Sequence, residues 1–227
     1  MDLVDTRWDG IEPGALVIVP VGSTEQHGLH LPFDTDTLIA EAVARGVAEQ
    51  MPPGGTVLAP SIAYGASGEH QDFPGTASIG TEALTAVLIE LGRSISTWAD
   101  RTVFVNGHGG NVEALTAAVD RLRFEGREVD WVPCVPPGGD AHAGRAETSL
   151  LLHLHPSRVM PDRAAAGPVD HIAALLPQLR ERGVRAVSPN GVLGDPSGAS
   201  AAEGRHLLER MVAEAARRIR HEPQGRG

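Results

Sequence analysis

LVIVPVGSTEQHGLHLPFDTD, residues 16–36, joins an apolar run to a polar loop crowded with side chains that bind metal ions. The run Leu16–Val21 reads as a buried strand, bounded by glycine and followed by the loop. Residues two apart in an extended chain project to one side, so Glu25 and His27 can converge on one site beyond the strand's end. Asp36, nine residues after His27, returns from the loop with a second carboxylate. Carboxylate oxygen together with imidazole nitrogen suits Zn, Fe(II) or Mn(II), whereas an all-oxygen set would favour Mg or Ca. Taken alone, the same stretch also reads as a helix-entry loop with solvated charges.

Two further segments repeat the arrangement. NGHGGN, Asn106–Asn111, follows the apolar run Thr102–Val105 and sets His108 on a glycine-rich turn before a helix. HAGRAETS, His142–Ser149, follows the run Glu128–Val135 and carries His142 and Glu147. Each has a plain alternative: His108 as a turn residue, His142 as a surface histidine, Glu147 as a first-turn carboxylate favoured by the helix dipole. Three strands that each end in such a loop point instead to one shared metal site at the carboxyl edge of a sheet, where open α/β sheets bind ligands.

The remaining pattern supplies that sheet. Strands are expected near 16–21, 56–60, 102–106 and 128–135, with helices near 37–50, 81–98, 111–125 and 146–154. This alternation implies a mainly parallel sheet with helices on both faces, a three-layer α/β/α sandwich. The PPGG strings at Pro52–Gly55 and Pro136–Gly139 read as chain reversals. With 227 residues and no break in the alternation, residues 1–221 are expected to form one domain, and Glu222–Gly227 a frayed tail.

Composition removes several kinds of function. A net charge of −10 leaves no basic stripe for a phosphate backbone, so nucleic acid is not an expected partner. The chain has no lysine, which excludes a P-loop NTPase, a lysine Schiff base and a Ser-Lys hydrolase. The single cysteine, Cys134, allows no intrachain disulfide and fits a reducing compartment; at a strand end it reads as a small buried apolar residue. The acidic N-terminus lacks a signal-peptide pattern, and no run approaches the roughly 20 apolar residues that span a bilayer, so a cytoplasmic protein without a membrane partner is expected.

Long loops are where specificity is expected. Tyr64–Thr76, YGASGEHQDFPGT, exceeds a simple connection and offers Tyr64, Glu69 and His70 as substrate-binding candidates. His70 can line a pocket or assist proton transfer, or simply cap a turn. Ser188–Ser200 is rich in turn formers and leads into a closing helix, with Ser200 and Glu203 spaced as a capping box. His153 and His155, at a helix end, are assigned no chemistry. Ser23 reads as a turn residue, and Ser67 lacks the second glycine of a nucleophile elbow because Glu69 stands there.

The strings GSTEQHGLHLPFDTD, YGASGEHQDFPGT, NGHGGN and HAGRAETS, in this order across Gly22–Ser149, resemble the creatininase family of metal-dependent amidohydrolases. The loop SPNGVLGDPSGAS narrows the resemblance to members that act on a ribosomally made precursor peptide. The resemblance implies a homo-oligomer with two divalent ions per subunit, Fe(II) or Zn, with Mn as a further candidate. Glu25, Asp36 and His108 match ligands of one ion; His27 and Asp36 match ligands of the other, so that Asp36 bridges. Creatinine-cleaving members carry a glutamate ligand where this chain has Gly110, and Glu147 is the candidate replacement. The implied reaction is amide hydrolysis by a hydroxide held between the ions, with His142 passing a proton to the leaving nitrogen. The implied substrate is a modified precursor peptide, cut to release its decarboxylated, cyclised C-terminal Val-Tyr unit. Creatinine or a formamide is the alternative substrate. A mononuclear Fe(II) oxygenase built on His27, His108 and one carboxylate is a different chemistry that the same residues allow, and a non-catalytic metal-binding protein is the plainest alternative.

Overall fold

The computed structural model describes residues 1–52, 54–136 and 138–221; the tail Glu222–Gly227, and Pro53 and Pro137 of the two PPGG turns, lie outside the described residues. Four strands, β1 (Ala15–Val21), β2 (Thr56–Leu58), β3 (Ala99–Asn106) and β4 (Val129–Pro133), form one sheet in the order β2-β1-β3-β4. Every pairing is parallel, with Ile18 beside Leu58 and Val103, and Phe104 beside Trp131. β2 is shorter than expected. The Ala59 N–H still reaches the Ile18 carbonyl at 2.9 Å, but Pro60 has no N–H to continue the ladder.

Alternation along the two central strands divides the core. Ile18, Val103 and Val105 face α1 (Thr35–Gln50), α4 (Arg145–Leu154) and α6 (Ala201–His221), packing with Val43, Leu150 and Met211. Val17, Val19, Val21 and Phe104 face α2 (Gly80–Ile95) and α3 (Val112–Phe124), packing with Leu84, Leu88, Leu115 and Leu122. These are the three layers the alternation predicts, in a single α/β domain. Each fully buried Val, Leu or Phe contributes about 1.5–3 kcal/mol of transfer free energy, so small aliphatics suffice where aromatics are scarce.

Two features go beyond the sequence reading. One is α5 (Ile172–Val187), which belongs to neither helix layer. Leu175, Leu179 and Val184 pack with Leu193 and the half-buried Phe73, and α5 meets the short helical turn Gly68–His70. Pro177 and a break at Gly183 (φ 73°) interrupt it, and both residues read as helix breakers in the sequence. The other is the seating of α1. A Cβ on Gly22 would lie 2.4 Å from Thr37 Cα, and one on Gly107 would lie 2.3 Å from the Asp36 carbonyl oxygen. Glycine at both strand ends therefore lets the first turn of α1 drop between β1 and β3. Asp36 lies in that turn, within the helix rather than on the preceding loop.

Candidate metal centre

The loops after all four strands meet at the carboxyl edge of the sheet, and Asn111 fastens three of them. Its Nδ2 donates to the Gly22 carbonyl (2.9 Å) and to Asn106 Oδ1 (3.2 Å), and its Oδ1 accepts from Ala66 N–H (2.9 Å). Asn106 in turn accepts from the His108 N–H and donates to the His108 carbonyl, curling the chain after β3 so that the imidazole enters the site.

Asp36 lies between two imidazoles: His27 Nε2 is 3.1 Å from its Oδ1, and His108 Nδ1 is 3.2 Å from its Oδ2. Ser23, fully buried, donates to Oδ2 at 2.7 Å, which corrects its reading as a turn residue. Glu25 is wholly buried next to them, with Oε2 at 3.2 Å from His108 Nε2 and Oε1 at 3.5 Å from His70 Nε2 and 3.7 Å from His142 Nδ1. Glu147, on the first turn of α4, puts Oε2 3.9 Å from His27 Nε2 and accepts the Ala143 N–H at 2.6 Å. Glu69 Oε1 lies 3.8 Å from His108 Nε2.

The protonation pattern fits a bound cation. His27 Nδ1 is 3.1 Å from the Glu25 carbonyl, His108 Nε2 is 3.3 Å from the Ala66 carbonyl, and His142 Nε2 is 2.8 Å from the Gln26 carbonyl. A carbonyl only accepts, so each of these nitrogens carries the N–H, and the other ring nitrogen turns a lone pair toward a carboxylate. At His27 and His108, where that lone pair would lie 3.1 and 3.2 Å from an Asp36 oxygen, the contact is tolerable only with a proton or a cation between them. Ligating histidines are commonly tied through the second nitrogen in this way. Both Glu25 oxygens are also buried without a hydrogen-bond partner, an arrangement that is costly unless a cation completes it. The ligand atoms of Glu25, His27 and Asp36 lie within 4.8 Å of one another, as do those of His27, His142 and Glu147 and those of Glu25, His70 and His142.

Electrostatics make the same point. Burial lifts the Glu25 carboxyl to about 8, against the pull of His108. Burial alone would discharge His27 and His108. The Asp36 carboxylate beside His27, and Glu25 and Asp36 beside His108, instead hold each near 10. Asp36, despite burial, is held well below the usual carboxylate range by His27 and His108. Glu147 is lifted by burial to about 7. His142 and His70 go the other way: burial, with His27 and His70 nearby, keeps His142 neutral, and burial with His108 takes His70 down to about 3.

The structure thus brings Glu25, His27, Asp36, His108, His142 and Glu147 together, with His70 among them and Glu69 at the rim. Tyr64 is 54% exposed and is not among the residues that line the cleft. The residue that sequence reasoning missed is Gln26, buried at the centre with its amide reaching His70, His142 and Gly191. Its position between Glu25 and His27 was a signal, but an amide carries no charge or ligand chemistry to draw attention. Cys134 is buried, and burial raises its thiol pKa, so it remains a thiol. The site opens into a cleft of about 1520 Å³ walled by Val135, Asp140, Arg145, Val169, Leu176 and Arg180 among others.

Comparison with known proteins gives consistent results. The family model described as creatininase, creatinine amidohydrolase, matches residues 6–219. The mycofactocin precursor peptide peptidase of Mycobacterium ulcerans (strain Agy99) is 59% identical over 209 residues, 89% of this chain and 84% of that protein. The protein of the same name from Mycolicibacterium smegmatis is 58% identical over 208 residues, 90% of this chain and 84% of that one. The creatinine amidohydrolase of Pseudomonas putida is 33% identical over 240 residues, covering 91% and 89%. Among solved structures, one described as creatininase Mn superposes with a TM-score of 0.77 at 27% identity, covering 98% of this chain and 99% of that chain. A mutant creatininase of Zn-Zn type superposes with a TM-score of 0.76 at 27% identity, covering 98% of each.

Proposed function

Because this chain belongs to the creatininase family and is a hydrolase acting on amide bonds, we propose that it is a mycofactocin precursor peptide peptidase, releasing the modified C-terminal Val-Tyr unit of its peptide substrate. The cleft carries this reading over the small-molecule alternative. At about 1520 Å³ it exceeds the roughly 300–1,000 Å³ typical of small-molecule sites. It also runs past apolar Val135, Val169 and Leu176, surface that a peptide arm would cover.

In this reading Glu25, Asp36 and His108 would hold one divalent ion and His27, Asp36 and Glu147 would hold the other, with Zn, Fe(II) or Mn as candidates. When bound, two such ions supply Lewis acidity and make a water molecule acidic enough to serve as nucleophile near neutral pH. The chain's own residues do the rest. Asp36 is fixed by Ser23 and presents one oxygen to each side of the site. His142, neutral and anchored through Nε2–H to the Gln26 carbonyl, has its Nδ1 lone pair free to take a proton from the attacking water. The same Nδ1 returns that proton to the leaving amide nitrogen, which must be neutralised before the C–N bond breaks.

The test is mass spectrometry of zinc- or iron-loaded protein incubated without oxygen with precursor peptide bearing its decarboxylated, cyclised C-terminus. A shortened peptide and a free cyclic product are expected. Intact peptide, from protein shown to hold its metal, would rule this substrate out.

A further inference from the structure

The Gln26 side chain can be oriented unambiguously. Its Oε1 accepts the Gly28 N–H at 2.9 Å, and its Nε2 donates to the Gly191 carbonyl at 3.0 Å. The first contact requires an acceptor and the second a donor, so two main-chain groups of opposite kind fix the amide. The second Nε2 hydrogen then points at His70 Nδ1, 2.8 Å away. A nitrogen that receives an N–H must offer a lone pair. The proton of neutral His70 therefore sits on Nε2, and that N–H faces the site beside Glu25 Oε1.

His142 is set the opposite way. Its Nε2–H is spent on the Gln26 main-chain carbonyl, so Nδ1 is a bare acceptor near the same Glu25 oxygen. The 3.2 Å approach of Gln26 Nε2 to His142 Nε2 is then a contact between donors rather than a hydrogen bond. The two rings pack 4.5 Å apart, both buried, and present one donor and one acceptor to the same spot.

We propose that Gln26 is a positioning residue that locks His70 as a neutral Nε2–H donor to the oxygen of the substrate amide, opposite the proton-accepting Nδ1 of His142. A donor already aimed where an amide oxygen gains negative charge stabilises the tetrahedral state without reorganisation. This role excludes His70 as a metal ligand, because its site-facing nitrogen has no lone pair. The proposal rests on the amide-hydrolase reading for its substrate, while the tautomer itself does not.

The experiment has two arms. Nitrogen-15 NMR of histidine-labelled, zinc-loaded protein is expected to show His70 protonated at Nε2 and bare at Nδ1. In Gln26→Glu, whose carboxylate can only accept, Nδ1 is expected to gain a proton. His70→Ala is expected to keep its zinc and its fold while losing about 10²- to 10³-fold in kcat, the range for one lost oxyanion donor. His70→Gln, which keeps a side-chain N–H, should recover at least tenfold of that loss. Wild-type His70 protonated at Nδ1, zinc lost from His70→Ala, or His70→Gln no better than His70→Ala would each overturn the proposal. The NMR arm needs no substrate, so an enzyme that leaves the precursor peptide intact would count against the peptide reading alone.

Discussion

Asp36 meets two imidazoles and a serine hydroxyl with two oxygens. If it bridges two ions, Asp36→Ala should strip both metals and nearly all activity while the fold persists. Elemental analysis of the folded variant checks this, and a normally loaded, active variant would refute the bridge. His142→Ala should keep the metals and lose about 10²- to 10⁴-fold in kcat, the range for a lost general acid-base. Metal loss there would make His142 a ligand instead. Gly110 sets a different constraint. A Cβ at that position would lie 2.4 Å from both the Ala66 carbonyl oxygen and His108 Nε2, and 2.8 Å from Glu69 Oε1. Even Gly110→Ala must displace His108 or the Ala66 loop, so metal affinity measured by chelator competition should fall. Placing a glutamate there would not restore a ligand in this backbone.

Elements carry the site by where they end. The α1 N-terminus reaches the candidate metal site only because Gly22 and Gly107 admit it. Gly107→Ala would push against the helix backbone itself, and overpacking of this kind costs about 1–3 kcal/mol. A melting temperature lowered by several degrees, together with weakened metal binding, is the expected result; an unchanged pair of values would mean that α1 does not need this approach. The sheet and the five helices flanking it or closing the chain were legible because apolar runs and turn residues alternate plainly. The ionisable side chains that gather at the carboxyl edge were legible because they follow strands. What was not legible depends on distant partners. Ser200 does accept the Glu203 N–H at 3.2 Å, but the Glu203 carboxylate turns to Arg145 and Ser149 rather than completing the box. Gln26 acquires its meaning from His70 and Gly191, and α5, with the breakers Pro177 and Gly183 inside it, packs on Leu193 and Phe73.

The molecule as a whole holds protons where the proposed metal ions would bind. In metal-free protein the folded pKa values of His27 and His108 lie near 10, above the ordinary 6.5, and that of Glu25 lies near 8, above 4.5. A raised pKa means that the folded state binds the extra proton. The histidines' contribution is then complete below about 6.5 and disappears toward 10, and that of Glu25 fades between 4.5 and 8. Chelator-treated protein should therefore melt at progressively lower temperature from pH 6.5 to 9.5. Zinc-loaded protein should change less, because the cation replaces the protons, and zinc binding at pH 7 should release protons detectable by calorimetry in buffers of different ionisation enthalpy. A metal-free melting temperature that rises over this range would contradict the arrangement. No helix among the described residues is long and apolar enough to cross a membrane. The bond from Gln26 to Gly191 spans 165 residues, and the His142–Leu193 bridge joins the same late loop. During synthesis on the ribosome, Glu25, His27, Asp36 and His108 all emerge well before Gly191 and Leu193. A nascent chain can thus carry the side chains we assign to the metals while Gln26 and His142 still lack the late loop that holds them, and in this reading hydrolytic competence arrives only when translation has passed that loop.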